Sequence, residues 1–240
     1  MWPMLKIRFK VLACCLLAHP GRNALFSLLA PLVLSSCMTA RVEESKDAST
    51  GIGTTESVVV LASSYHTSNP AEDAFLNCIT DKIQGGKRKM RVHPSAEFRD
   101  ALYPWLEPRT APRNAEALPA LLERPGVSQR IRDRDIRYII WIQGDTERTS
   151  GGGSLSCAAG PGGGGCFGLA WWENLSSYEA TIWDLDGGIR AGKVSTDVNG
   201  TSVIPAVVIP LPLIARTRAA ACKGLARQLQ TFIVGQAPTG

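Results

Sequence analysis

Apolar residues along this chain fall into two periodicities. Ser57–Ala62 (Ser-Val-Val-Val-Leu-Ala) is a β-branched run, the pattern of a buried strand. Arg137–Gly144 (Arg-Tyr-Ile-Ile-Trp-Ile-Gln-Gly) is a second such run and reads as the central strand. Between them the spacing turns helical. Asn69 is a capping residue, Pro70 suits a first helical position, Glu72 sits in the first turn, and Phe75, Leu76, Ile79 and Ile83 form a core stripe. Gly85-Gly86 stops that helix. Met90–His93 reads as a short strand. Ser95 caps a second helix with Phe98, Ala101 and Leu102 inward, ended by Pro104. Residues 107–113 are a Pro/Arg loop, and Ala115–Glu123 and Val127–Arg134 read as short helices around Pro125-Gly126.

The second half reads as a meander. Residues 150–166 form a glycine-rich loop. Phe167–Trp172, Tyr178–Leu185 and Ile189–Ser195 follow as antiparallel strands, joined in part by an Asp186-Gly187-Gly188 turn. Ser202–Ile209 extends the sheet or crosses it. Ile214–Ile233 is the last helix, with Ala215, Ala219, Cys222, Ala226, Leu229 and Ile233 along one face. The predicted order is β-α-β-α-(α)-β-β-β-β-α, an α/β (α+β) domain with helices on a mixed sheet.

Composition narrows this. The 240 residues are 45% hydrophobic and 20% charged, enough for one well-cored domain and far from a disordered chain or a coiled coil. The net charge of +5 is unevenly placed. Lys6, Arg8, Lys10 and Arg22 stand in the first 36 residues with no acid, which leaves 22 basic against 21 acidic residues for 37–240. A nearly neutral domain argues against nucleic acid as a partner, since that binding needs a concentrated positive field.

The basic start belongs to targeting. Residues 24–34 (Ala-Leu-Phe-Ser-Leu-Leu-Ala-Pro-Leu-Val-Leu) are a short apolar core followed by Ser35, Ser36 and Cys37, the layout of a secretory signal. The core is too short, and broken by Pro31, for a stable span. An extra apolar patch, Val11–Ala18, precedes it. Leu34-Ser35-Ser36-Cys37 resembles the bacterial lipobox. The resemblance implies cleavage before Cys37, lipidation of that residue and a membrane-anchored N-terminus. Met38 in place of Asp then implies release to the outer membrane, with the domain facing the periplasm. The expected organisation is a signal peptide (1–36), a lipidated Cys37 with a polar, flexible tether (37–55), a periplasmic domain (56–235) and a short tail (236–240).

Of the seven cysteines, Cys14 and Cys15 lie in the signal and Cys37 is the lipidation candidate. Cys78, Cys157, Cys166 and Cys222 remain, an even number in an oxidising compartment, so two disulfides are expected. Three connectivities exist. Cys157 and Cys166 flank a flexible glycine-rich segment, and Cys78 and Cys222 sit on predicted helices, which favours Cys157–Cys166 and Cys78–Cys222. No C-x-x-C spacing points to a metal.

A lipidated cysteine, a polar tether, strand–helix–strand–helix and a meander carrying Tyr178-Glu-Ala-Thr-Ile-Trp-Asp-Leu-Asp-Gly187 resembles the small α/β domains of envelope lipoproteins. Curli-secretion lipoproteins, lipoprotein activators of penicillin-binding proteins and the TolB N-terminal domain are of this kind. The likeness is architectural, over roughly residues 56–235. It implies a non-enzymatic scaffold or accessory subunit docking an envelope protein, without a cofactor, and it carries over no site residue.

Candidate chemistry is sparse. His66 follows the first strand within Ser63-Ser64-Tyr65-His66, where α/β ligand sites gather, and a Ser63–His66 hydrolase is the enzymatic alternative. There is no G-x-S-x-G elbow. His93, before Pro94, reads as a strand-end residue. Gly160–Gly165 matches G-x-G-x-x-G, but an aromatic strand rather than a helix follows. Lys87, Arg88, Lys89 and Arg91 read as a solvated run. Asp184 and Asp186, two apart at a strand end, suit a turn better than acid–base work. Phe167, Trp171 and Trp172 are the candidate interface residues, because alternation along a strand leaves one tryptophan on the outer face.

Overall fold

The computed structural model describes residues 38–62, 70–86, 88–107 and 109–234. They build a mixed six-stranded sheet with helices packed on it. Strands β1 (Met38–Lys46), β2 (Ser57–Ala62), β3 (Arg91–His93), β4 (Ile136–Gly160), β5 (Gly163–Asp184) and β6 (Ile189–Pro210) lie in the order β1-β6-β5-β4-β2-β3. Strand β2 runs parallel to β3 and β4, and the other pairs are antiparallel. The helices are α1 (Pro70–Gln84), α2 (Ser95–Ala101), α3 (Leu118–Leu122), α4 (Val127–Arg132) and α5 (Thr217–Val234), with a 3₁₀ turn at Ala115–Ala117.

The β-branched runs become the centre of the molecule because both faces of β2 are covered. Successive side chains of a strand point to opposite faces. Val58 and Val60, with Tyr138, Ile140 and Ile142 of β4, pack under α1 and α5. Val59 and Leu61, with Ile139 and Trp141, pack under α2, α3 and α4. All six residues of β2 are buried. Strands β5 and β6 meet α5 and α1 on one face through Tyr178, Ala180, Ile182, Val194 and Val198, and on the other face the body end of β5 is covered as well, with Thr181 buried and Trp183 packed against the second cluster. The rings of Phe75 and Tyr178 stack with centroids 3.6 Å apart.

Both expected disulfides are present, Cys78–Cys222 and Cys157–Cys166. The first ties α1 to α5, whose Cα atoms at that point are 6.4 Å apart. The second joins residues directly opposed across β4 and β5.

The structure corrects several expectations. The glycine-rich stretch 150–166 is not a loop. It is the far half of β4, a tight turn at Gly160–Gly163, and the start of β5. The meander contains three long strands rather than four short ones, so the observed order is β-β-α-β-α-α-α-β-β-β-α. The tether expected over 37–55 begins instead as edge strand β1, paired with β6 from Met38↔Gly200 to Lys46↔Gly192. Its mostly polar residues give a weak hydrophobic pattern, because this edge strand is held by backbone bonds and places only Val42 against the core. The last helix starts at Thr217, and Ala219, placed on the buried stripe, is exposed while Ala221 and Leu225 are buried.

Replacing Cys78 and Cys222 together with Ala releases a cross-link between residues 144 apart and is expected to lower global stability by about 2–5 kcal/mol. Replacing Cys157 and Cys166 is expected to leave the main unfolding transition nearly unchanged, since their hairpin end lies outside the buried clusters. Denaturant titration of both double variants checks this.

Candidate functional site: an uncharged arm on a charged sheet

Beyond Ile142 no strand covers the outer side of β4 among the described residues, because its pairing with β2 ends at Ala62↔Ile142. Strands β4, β5 and β6 nonetheless continue together as a three-stranded arm. Gly144 sits at the transition. Its φ is +133°, and a Cβ there would stand 2.1 Å from the Ser177 carbonyl oxygen, so only glycine fits. A ladder of hydroxyls follows. Thr146 Oγ1 lies 2.8 Å from Ser176 Oγ and 3.2 Å from the Tyr178 hydroxyl, and Ser176 Oγ donates to Thr217 Oγ1 at 2.8 Å. These contacts pin the first turn of α5 to the base of the arm.

The last charges along the arm are Arg148 and Glu173. The Arg148 guanidinium lies 5.4 Å from the centre of the Trp172 ring. Glu173 Oε2 accepts from Ser150 Oγ at 2.8 Å. Past them, Thr149–Trp172 and Val198–Ala215 contain no ionisable acid or base other than the bonded cysteines. On one face of the arm Phe167, Leu169 and Trp171 stand beside Val207, Pro205 and Val203 of β6. Phe167 is 75% exposed, Leu169 50%, Trp171 38% and Val207 76%. The other face carries small residues together with Leu155, Trp172, Ile204, Val208 and the disulfide. The chain then turns back. Val203 and Leu213 exchange backbone hydrogen bonds at 2.9 and 2.8 Å, and the Leu211 N–H donates to Pro205 O at 3.0 Å. Gly200 permits this return, since a Cβ there would lie 2.8 Å from Ala215 Cβ and from Thr217 Cγ2.

The same sheet face is ionic nearer the body. Lys193 Nζ donates to Glu179 Oε1 at 2.9 Å, Gln143 Nε2 donates to the same oxygen at 3.1 Å, and Glu116 lies 3.6 Å from Lys193. The hydrogen bond to Glu179 raises the Lys193 pKa above its ordinary value. At the opposite end of the strands Asp184 and Asp186 take the expected turn role. Asp184 Oδ1 accepts from the N–H groups of Asp186 and Gly187 at 3.0 and 3.3 Å, and Asp184 Oδ2 accepts from Arg137 at 2.9 Å. Arg137 also pairs with Asp186. Burial works against the Arg137 charge, and Asp184 beside it outweighs that and raises its pKa.

Of the residues singled out in the sequence, Phe167, Trp171 and Trp172 come together on the arm, where both tryptophans lie outside the buried clusters. Cys37, Ser63 and His66 lie outside the described residues, as does Lys87. Arg88 donates to Thr231 Oγ1 at 3.0 Å and Arg91 to Thr55 O at 2.7 Å. No group of three or more His, Cys, Asp or Glu among the described residues is placed to hold a metal. Sequence reasoning missed the arm itself. Its signal was the absence of charge over two segments distant in the chain.

No family model matches the chain, and no curated protein matches it. Among solved structures it is similar to a PelC dodecamer from Paraburkholderia phytofirmans, at 14% identity over 82% of this chain and 99% of that one, with a TM-score of 0.37. A single-substitution variant of the same protein gives 13% identity over 83% and 100%, also at 0.37. Similarity at this level carries no argument about this chain.

His93 ends β3 with Nε2 buried and no hydrogen-bond partner among the described residues. Burial lowers its pKa below the ordinary value, Glu97 opposes that shift, and Arg134 adds to it. The unfolded chain therefore takes up a proton at higher pH than the folded one. Stability is expected to be complete above about pH 6.5 and to fall as pH drops below it. Urea titrations on either side of that value check this, and His93→Gln is expected to flatten the difference.

Proposed function

We propose that this chain is a lipid-anchored protein of the bacterial cell envelope, held through Cys37, whose folded domain acts as a non-enzymatic scaffold or accessory subunit docking an envelope protein. The supporting observation is that Met38, one peptide bond after the cysteine of the Leu34–Cys37 motif, is itself held in the sheet, paired with Gly200 of β6. An anchor on Cys37 therefore leaves no long leash between membrane and domain. Two disulfides add support, because such bonds persist in oxidising compartments outside the cytoplasm. In this reading lipid on Cys37 supplies the attachment. The scaffold role is supported by the surface, where the cluster of Lys193, Glu179 and Glu116 offers the polar contacts found at the rim of protein interfaces.

Cys37→Ala is expected to abolish incorporation of labelled fatty acid into the protein while leaving both disulfides intact. Labelling that persists in the variant would overturn the lipoprotein reading.

A further inference from the structure

The arm has a polarity boundary that runs straight across the sheet. Arg148 of β4 stands opposite Asn174 of β5, Asn174 opposite Gly200 of β6, and Gly200 opposite Met38 of β1. On the body side of this row lie Asp145, Glu147, Asp197, Arg41 and Glu43. On the tip side the only charge among the described residues of these strands is Glu173, the next residue along β5. A patch evolved for a protein partner ordinarily keeps a polar rim around its apolar centre. Here charge disappears from all three strands and from both faces at one level, which is what a planar, low-dielectric partner requires. From Ser150 to Gly160 the arm reaches about 35 Å beyond that level.

The proposed anchor is close to this level in the chain. Strand β1 runs antiparallel to β6, and Met38 is paired in the boundary row. A lipid on Cys37 is therefore attached one residue from the row at which the uncharged stretch of the arm starts.

We infer that the arm is a membrane-contacting element, which lays Phe167, Leu169, Trp171 and Val207 into the interfacial layer of the phospholipid bilayer that holds the anchor. Its depth follows from the backbone. The outer edge of β4 from Gln143 to Gly160 has no partner strand among the described residues, and open sheet edges are not tolerated in hydrocarbon. At head-group level water and lipid oxygens satisfy those groups, and tryptophan is at home there. The hairpin end is suited to this position. Strands of glycine carry little side-chain information to set their register, and the Cys157–Cys166 bond locks it where neither face is covered by protein.

This inference rests on the membrane address proposed above, and its test reads the two separately. The purified full-length-processed lipoprotein is reconstituted into phosphatidylethanolamine–phosphatidylglycerol vesicles, plain or with bromine on the acyl chains. Tryptophan emission is expected to be quenched by the brominated lipids, most by bromines near the head-group end. Trp171→Phe/Trp172→Phe is expected to lose that quenching, leaving Trp105, Trp141 and Trp183 of the folded body unaffected. Phe167→Asp/Leu169→Asp/Val207→Asp is expected to lose it as well, with an unchanged circular dichroism spectrum and the protein still floating with the vesicles. Equal emission in plain and brominated vesicles, quenching that survives in the double tryptophan variant, or quenching strongest at the bilayer centre would each overturn the inference. Mass measurement at Cys37 on the same sample separates the readings. An acylated but unquenched protein sinks the arm's role alone, and a quenched but unacylated protein, added to preformed vesicles, sinks the anchor alone.

Discussion

Burial of β2 and of Ile136–Ile142 on both faces is the constraint on which the rest of the structure depends. A strand with no solvent-facing side must be apolar throughout and must have helices above and below it. That requirement sends α1 across one face and α2, α3 and α4 across the other, and it places β3 and β4 on either side of β2. The closing helix α5 returns to the α1 face, where Cys78–Cys222 locks the two helices together. The phenolic oxygen of Tyr138 reaches the edge of this core and donates to Gly51 O at 2.8 Å, so that the segment after β1 is held down too.

Protein cover then diminishes along the strands, and the chemistry changes with it. Where β4 has two covers, residues 138–142 are buried and carry no charge. Where β5 and β6 have one cover, the free face is ionic, with Glu179 shared by Lys193 and Gln143. Where neither face is covered, charge vanishes and glycine, alanine and aromatic residues take over. Water normally demands polar side chains on an uncovered sheet. Their absence from the arm is the observation that the membrane inference explains, and it joins the arm to the anchor reading of Cys37 through the position of Met38 in the sheet.

Part of this was legible along the chain. Burial on both faces leaves an unbroken apolar run, so Ser57–Ala62 and Arg137–Gly144 were recognisable as core strands. Helical spacing disclosed the stripe of Phe75, Ile79 and Ile83. Even the disulfide partners could be favoured, since four cysteines outside the signal divide into two on helices and two around a short glycine segment. The Asp186-Gly187-Gly188 turn was readable because Asp184 needs only local backbone donors. The arm and β1 were not. Glycines at 151–153 and 162–165 have no side chains from which alternation could be read, and in β1 only Met38, Ala40 and Val42 alternate before the pattern turns wholly polar. Both are strands because of backbone hydrogen bonds to β5 and β6, which leave no trace in side-chain pattern.

The sequence by itself thus determined the two-sided core strands, the amphipathic helices, the targeting motif at Leu34–Cys37 and the supply of cysteines, since each is a property of neighbouring residues and of local periodicity. Only the tertiary structure decided that two charge-free segments far apart in the chain lie side by side as one arm, that Trp171 and Trp172 lie outside the core, and that Met38, next to Cys37, is paired in the sheet. Those facts depend on strand pairing across long chain separations, and backbone amides and carbonyls, identical at almost every residue, pair without regard to the side chains that sequence reasoning can see.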